Sequence, residues 1–524
     1  MTRALGVAIA LLVALALAGP AAARGPGNDS SRELRRAVTA DGILKHLATL
    51  EGVARAANGN RLAGTPGDEE SARYVAQRAR AAGLHVSFQE FEYDLFALAD
   101  WRPPVLEVVG GRSFVPGIAG SIQGGDFGSM VDSPSGDVTA PVWAADLTLP
   151  SPAPDTSTSG CEPADFDGMP RGAIVLIQLG TCATFGKWIN AEAAGAGAIV
   201  YFNEGTRNRM TAPWRLASGI PGFSRTPIAA AQVATAAALA NGVAHGLTGL
   251  TARFRIDWRP GIYPTRNVIA ETPGGDPGNV VVVGAHLDSV GTGPGINDNG
   301  SGSAAILEIA EQLRGVTPRN KVRFVWFGAE ETFLDGSTAY VRGLSGAEQG
   351  RIAAMLNFDM IGSPNFGRFV YDGDGSHTPR PAGGAPPFSA AIERLFTDYF
   401  AARGLATRPT AIDDRSDHWP FVAAGIPAGG LFAGAGGRKT VEEALAFGGE
   451  AGRPYDPCYH LGCDDLSNVS RTALEQMADA AAHATIRLAQ SRRLPARTAA
   501  PAPARRGAAL SSSRDRRIAR AARA

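Results

Sequence analysis

Five side chains that can bind a metal follow one another along the chain, His286, Asp298, Glu331, Asp359 and His460: three stand at or just beyond the ends of apolar runs, Asp298 in a glycine-rich loop and His460 in the short loop Tyr455 to Asp464. His286 closes the run Val280-Val281-Val282-Val283-Gly284-Ala285, and Asp298 follows in the loop Gly295-Ile296-Asn297-Asp298-Asn299-Gly300-Ser301-Gly302. Glu331 follows Val322 to Phe327, and Asp359 follows Met355-Leu356-Asn357-Phe358. Imidazole nitrogen and carboxylate oxygen form a donor set suited to Zn²⁺, and two such ions ~3.5–4 Å apart need one carboxylate between them. On this reading Asp298 bridges, His286 and Asp359 hold one zinc, and Glu331 and His460 hold the other. Asp288, two residues from His286 on the same face of an extended segment, can hold the other ring nitrogen. Glu330 is then the spare acid, able to take a proton from an activated water and pass it on to the leaving group. An isolated acid at a strand end is ordinarily a solvated loop residue, so the weight lies in the whole set and its order.

Such residues converge only if a sheet delivers them together. Four consecutive valines read as a strand buried on both faces, and in open α/β sheets ligands bind at the carboxyl ends of the strands. The run from Ser303 to Leu313 reads as a helix after the glycine-rich loop. Upstream, Leu44, Leu47, Leu50 and Val53 recur at three-residue steps, and Asn58-Gly59-Asn60-Arg61 ends that helix before a Gly64-Thr65-Pro66-Gly67 turn. A second helix from about Asp68 to Ala82, with Ala72, Val75, Ala79 and Ala82 on one face, leads into a strand from His85 to Phe91. From Asp132 onward Pro, Ser, Gly and Thr accumulate and a fresh pattern begins. The fold class is therefore α/β, a mixed and largely parallel sheet flanked by helices, interrupted by a smaller insert. The expected division is 24–135 and 251–490 for the main domain, 136–250 for the insert and 491–524 for a tail.

Composition agrees with a large buried core: 524 residues, 44% hydrophobic. Arg3, the apolar run Ala4 to Ala18, Gly19-Pro20 and Ala21-Ala22-Ala23 form the three parts of a secretory signal peptide, with cleavage expected after Ala23. No other stretch approaches the roughly 20 apolar residues of a membrane span, so the product is expected to be secreted and extracellular. The zero net charge hides an asymmetry: residues 491–524 carry +9 and residues 24–490 carry −10. The arginine-rich tail cannot build a core and reads as disordered. No aromatic residue interleaves its arginines, so a nucleic-acid partner is not expected. Four cysteines in an exported chain suggest two disulfides, and of the three possible connectivities the spacing favours Cys161 with Cys182 and Cys458 with Cys463.

Two resemblances emerge from these motifs. Gly172 to Ile177, the loop Gly180-Thr181-Cys182-Ala183-Thr184-Phe185, the helix Lys187 to Ala198 and the strand Ile199 to Asn203 resemble the protease-associated (PA) domain found inserted in exported peptidases. Its partner is unknown. His-x-Asp, Asp-Asn-Gly-Ser-Gly, Glu-Glu, Asp-Met and Cys-Tyr-His, in that order, with Arg415-Ser416-Asp417-His418 and Gly429-Gly430-Leu431-Phe432-Ala433-Gly434, resemble the exported two-zinc aminopeptidases of the leucyl aminopeptidase type, the clan MH zinc peptidases. That likeness runs from about Leu44 to Leu488 apart from the insert. It implies the phosphorylase/hydrolase-like zinc exopeptidase fold, two zinc ions per chain, and hydrolysis of the N-terminal bond of peptides with a free amino terminus. It further implies that Glu330 and Asp359 hold the substrate's α-amine, that Arg415 lies near the substrate, and that Tyr459 donates to the developing oxyanion. Some members carry a calcium site near the C-terminal helix, and on that resemblance Glu475 and Asp479 would be its remnants.

Competing readings are a carboxypeptidase or a one-zinc glutaminyl cyclase on the same fold, or a non-catalytic receptor on a peptidase scaffold. The complete ligand set speaks against the receptor. His286 with the Glu330-Glu331 pair favours two metals over the cyclase, and the Arg415-to-Phe432 stretch with the Cys458 to Cys463 loop favours the aminopeptidase branch. His418 is read as bracing its loop, and His245, His46, His85, His377 and His483 have no partner motif.

Overall fold

The computed structural model describes residues 28–95, 100–117, 125–130, 133–153, 156–182, 184–205, 225–259, 261–378 and 385–494. The expected signal peptide and the tail from 495 onward lie outside the described residues.

An eight-stranded sheet forms the frame, in the spatial order His85–Leu95, Gly261–Glu271, Asn320–Phe327, Asp276–His286, Ile352–Asp359, Ala428–Phe432, Phe369–Tyr371 and Arg408–Thr410. Its four central strands, 320–327, 276–286, 352–359 and 428–432, run parallel. The antiparallel pairs lie toward the flanks. The valine run shows why the centre is parallel. Val281 and Val283 pack into one core with Ala304, Ile306 and Leu474, while Val280 and Val282 pack into a second with Tyr340, Phe421 and Ile426. Both faces are therefore covered by helices, and alternation of polar and apolar residues would serve no purpose here.

Helices Ala40–Ala56, Pro66–Ala81, Gly302–Gln312, Ser389–Ala401 and Arg471–Ala489 cover the first face. Thr39, Thr65 and Ser470 cap three of them, each accepting a backbone N–H of the first turn. The first helix exists where the leucine spacing placed it, but its buried stripe is Ile43, His46, Leu47, Leu50 and Ala54. A period of 3.6 residues carries the stripe off a strict three-residue ladder, so Leu44 and Val53 lie at its margin.

The second sheet has seven strands: Val105–Val108, Gly246–Ile256, Gly136–Ala144, Ile174–Gln178, Ala198–Phe202, Ile228–Ala231 and Phe127–Ser129 in spatial order. Its strands run beyond the expected 136–250 at both ends, taking in 105–108 and 127–129 before it and finishing at Ile256. The expected strand, helix, strand sequence of this unit falls at Ile174–Gln178, Thr184–Ala194 and Ala198–Phe202. Its core includes Leu62, Ala63 and Ala329, so it packs directly against the segment that carries Glu330. Cys161 bonds Cys182 and Cys458 bonds Cys463, the pairing that the spacing favours. Among the described residues no helix is long and apolar enough to cross a membrane.

Candidate metal centre

The parallel strands end together, and their ends meet. His286 Nε2 lies 3.4 Å from Asp298 Oδ1 and 3.4 Å from Asp359 Oδ1, with Glu330 Oε2 at 3.9 Å. His460 Nε2 lies 3.0 Å from Asp298 Oδ2 and 3.1 Å from Glu331 Oε2. One carboxylate oxygen of Asp298 thus faces each imidazole. His286, Glu330 and Asp359 form one compact donor group, and Asp298, Glu331 and His460 another.

The charge balance identifies what belongs between them. Burial alone would lower the His286 pKa, but the surrounding carboxylates, Glu330 and Asp359 foremost, hold it well above its ordinary value. Burial also opposes protonation of His460, yet Glu331 and Asp298 push its pKa up to about 10. Burial raises Glu330 well above the usual carboxylate range, against the pull of His286 and with the help of Asp359, Asp417 and Glu331. Glu331 is raised in the same way. Asp298 is held low: burial opposes this, but His286 and His460 outweigh it. Glu331 Oε1, Asp359 Oδ1 and His460 Nδ1 are buried without a hydrogen-bond partner. So concentrated a set of acids needs positive charge, and imidazole plus carboxylate is the donor chemistry of zinc. The residues fit such a cation.

Ties between remote segments fix this geometry. Asp288 accepts from the backbone N–H of Glu330 at 3.1 Å and of Glu331 at 3.4 Å, so it orients the paired glutamates. Its carboxylate is 3.6 Å from His286 Nδ1, whose closer contact, at 3.3 Å, is the Asp288 carbonyl. Ser416 donates to Asp359 Oδ2 at 2.6 Å and receives the Asn357 amide at 2.7 Å. Asn299 receives the N–H groups of Gly302 and Met360 and donates to the Phe358 carbonyl, lacing the Asp298 loop to the Asp359 strand. Gly302 permits this approach, because a Cβ there would stand 2.1 Å from the Phe358 oxygen. Asp464 accepts from the N–H groups of Asn297 and Asp298, and Thr292 donates to the His460 carbonyl, so the disulfide-closed loop is tied to the bridging loop.

Arg61, which the sequence presented only as part of a helix-breaking turn, is fully buried beneath these loops. Its guanidinium donates to the carbonyls of Leu287, Pro294 and Gly295, and its backbone N–H donates to Ser289 Oγ. Burial pushes its pKa down to about 10 while Asp288, Asp464, Asp68 and Asp298 support its charge. Arg61→Met should leave those carbonyls unsatisfied, costing about 3 kcal/mol of stability. Denaturant unfolding checks it; an unchanged midpoint would contradict this role.

The remaining expected residues sit as follows. The Tyr459 ring stacks on His460 at 3.8 Å between centroids, and burial, then Asp298 and the nearby glutamates, raises its phenol well above the ordinary value. Arg415 is exposed on its loop, its N–H donating to Asp413. His418 is buried against the Tyr371 ring at 4.4 Å, and burial lowers its pKa to about 4. Glu475 pairs with Arg471, and Asp479 with Arg35 and the Tyr399 hydroxyl. His245 packs edge-on against Trp143.

Two imidazoles and four carboxylates at the carboxyl edge of a largely parallel sheet, with the glutamate pair held by its backbone, define a metal-dependent hydrolase. Residues 267–485 match the model of peptidase family M28, residues 138–239 match the PA domain, and the chain belongs to the M28 family. It is 46% identical over 459 residues to a protein named "Aminopeptidase" from Pseudomonas aeruginosa, covering 86% of this chain and 81% of that one. It is 39% identical to the "Probable lipoprotein aminopeptidase LpqL" of Mycobacterium tuberculosis, covering 87% and 85%. In three dimensions it is similar to the "Aminopeptidase from Aneurinibacillus sp. strain AM-1", with TM-score 0.51, 25% identity, and 90% and 98% of the two chains covered.

Proposed function

We propose that this chain is an exported aminopeptidase that uses two zinc ions and Glu330 as general base. The observation that carries the reading is Asp298 facing both His286 and His460 through different oxygens. His286 and Asp359 would hold one zinc, Glu331 and His460 the other, with Asp298 shared. When bound, the ions activate a water and polarise the scissile carbonyl.

The protein's own groups supply the rest. Glu330 takes a proton from the attacking water and delivers it to the leaving amine. Asp288 fixes the Glu330 and Glu331 backbone, Ser416 holds the outer oxygen of Asp359, and Tyr459 lies beside His460 to donate to the oxyanion. Glu330 and Asp359 offer negative charge to a free α-amine, and Arg415 contacts the peptide beyond it. The names of the relatives support aminopeptidase action, and the disulfides together with the lipoprotein relative support export.

The decisive assay sets Leu-, Arg- and Pro-p-nitroanilide beside an N-blocked peptide with a free C-terminus. Release of p-nitroaniline with no attack on the blocked peptide is expected. Cleavage of the blocked peptide from its carboxyl end, or cyclisation of an N-terminal glutamine without p-nitroaniline release, would overturn the reading.

A further inference from the structure

His46, on the helix Ala40–Ala56, was given no partner by the sequence, yet it is 3% exposed and opens onto a second cluster of acids. Its Nε2 points at Glu308 Oε2, 3.4 Å away, and at Glu311 Oε1, 4.0 Å away, and makes no hydrogen bond. Both glutamates belong to the helix Gly302–Gln312, which starts directly after the Asp298 loop. The other ring nitrogen is 2.7 Å from the Tyr74 hydroxyl, on the helix Pro66–Ala81. These groups line a cavity of about 450 Å³, with Lys45 and Arg78 also in its wall.

We propose that His46, Glu308 and Glu311 form a divalent-cation site separate from the catalytic centre. One imidazole and two carboxylates form a donor set for a zinc-class transition ion, whereas calcium and magnesium favour oxygen alone. Ligand atoms at ~2.0–2.1 Å from a tetrahedral zinc stand roughly 3.4 Å from one another, so His46 and Glu308 are already in place and Glu311 needs a small inward shift. The Tyr74 hydroxyl sets the ring orientation, as partners of metal-bound histidines do. Arg78 donates to both oxygens of Glu311, at 2.6 and 2.7 Å, and holds it beside the cavity; each carboxylate oxygen keeps a second lone pair for the ion. Gly42 makes room for Glu308, because a Cβ there would lie 2.4 Å from its Oε1. A cation here ties together two helices, one of which leads out of the Asp298 loop, while Tyr74 and Arg78 brace its ligands from a third.

The test is zinc content by elemental analysis of the full chain, after equilibration with micromolar zinc and removal of free metal by gel filtration. Wild type should carry one equivalent more than His46→Ala, with equal turnover of Leu-p-nitroanilide. Glu308→Gln preserves side-chain volume and should show the same loss should His46→Ala fold poorly. Asp298→Ala should retain the His46-dependent equivalent, which separates this site from the catalytic reading. Equal zinc in wild type and in the folded His46 and Glu308 variants would overturn the proposal.

Discussion

Glu330→Gln is expected to keep its zinc and lose turnover by about 10²–10⁴-fold, the usual worth of a general base. The glutamine retains the side chain's volume and can still accept a hydrogen bond, but it cannot take a proton at working pH. Glu330 belongs to the donor group around His286 yet lies farther from Nε2 than Asp298 or Asp359 does, 3.9 Å against 3.4 Å. Its backbone is held by Asp288, so the substitution leaves the positioning of Glu331 intact. Because a base works only when deprotonated, wild-type turnover falls as the pH drops through the Glu330 pKa, and this dependence should vanish from the residual activity of the variant. Steady-state kinetics beside elemental analysis separate the two effects. Wild-type activity in the variant would remove Glu330 from the chemistry.

Asp298→Ala should act on the metals themselves. The side chain is the shared partner of both imidazoles, and no other described residue contacts His286 Nε2 and His460 Nε2 alike. Its removal should weaken zinc binding by more than about 10²-fold, beyond the loss seen when only an outer partner of a ligand is cut away. After dialysis the protein should hold two equivalents fewer than wild type, with turnover lost in parallel. Without cations the buried acids Glu330 and Glu331 would meet their charge by taking up protons, as their raised pKa values indicate, so zinc binding should release protons. A variant with full zinc content would contradict the bridging role.

The sequence exposed those features that are local. The valine strand, the glycine loop around Asp298, the Glu330-Glu331 pair and the Cys458 to Cys463 loop each announce themselves within a few residues. The parallel sheet and its central strands follow from them. Hidden were the groups that act across the chain. Arg61 reaches carbonyls more than 220 positions away, and Asp464 holds N–H groups more than 160 positions earlier. Asp288 lies beside the His286 ring, as its two-residue spacing suggests, but its carboxylate also accepts from the N–H groups of Glu330 and Glu331, 42 and 43 positions on, which no local pattern shows. The outer strands of the second sheet were missed for another reason: Val105–Val108 and Phe127–Ser129 are four and three residues long, too short for a period to show. His46 remained isolated because Glu308 and Glu311 approach it from a distant helix.

Diffraction from crystals of the zinc-loaded protein, recorded on both sides of the zinc absorption edge, tests the central claim most directly. The account predicts two anomalous peaks ~3.5–4 Å apart between His286 and His460, each within ~2.0–2.2 Å of a different oxygen of Asp298. A single peak there, or a pair that Asp298 does not touch, would contradict it.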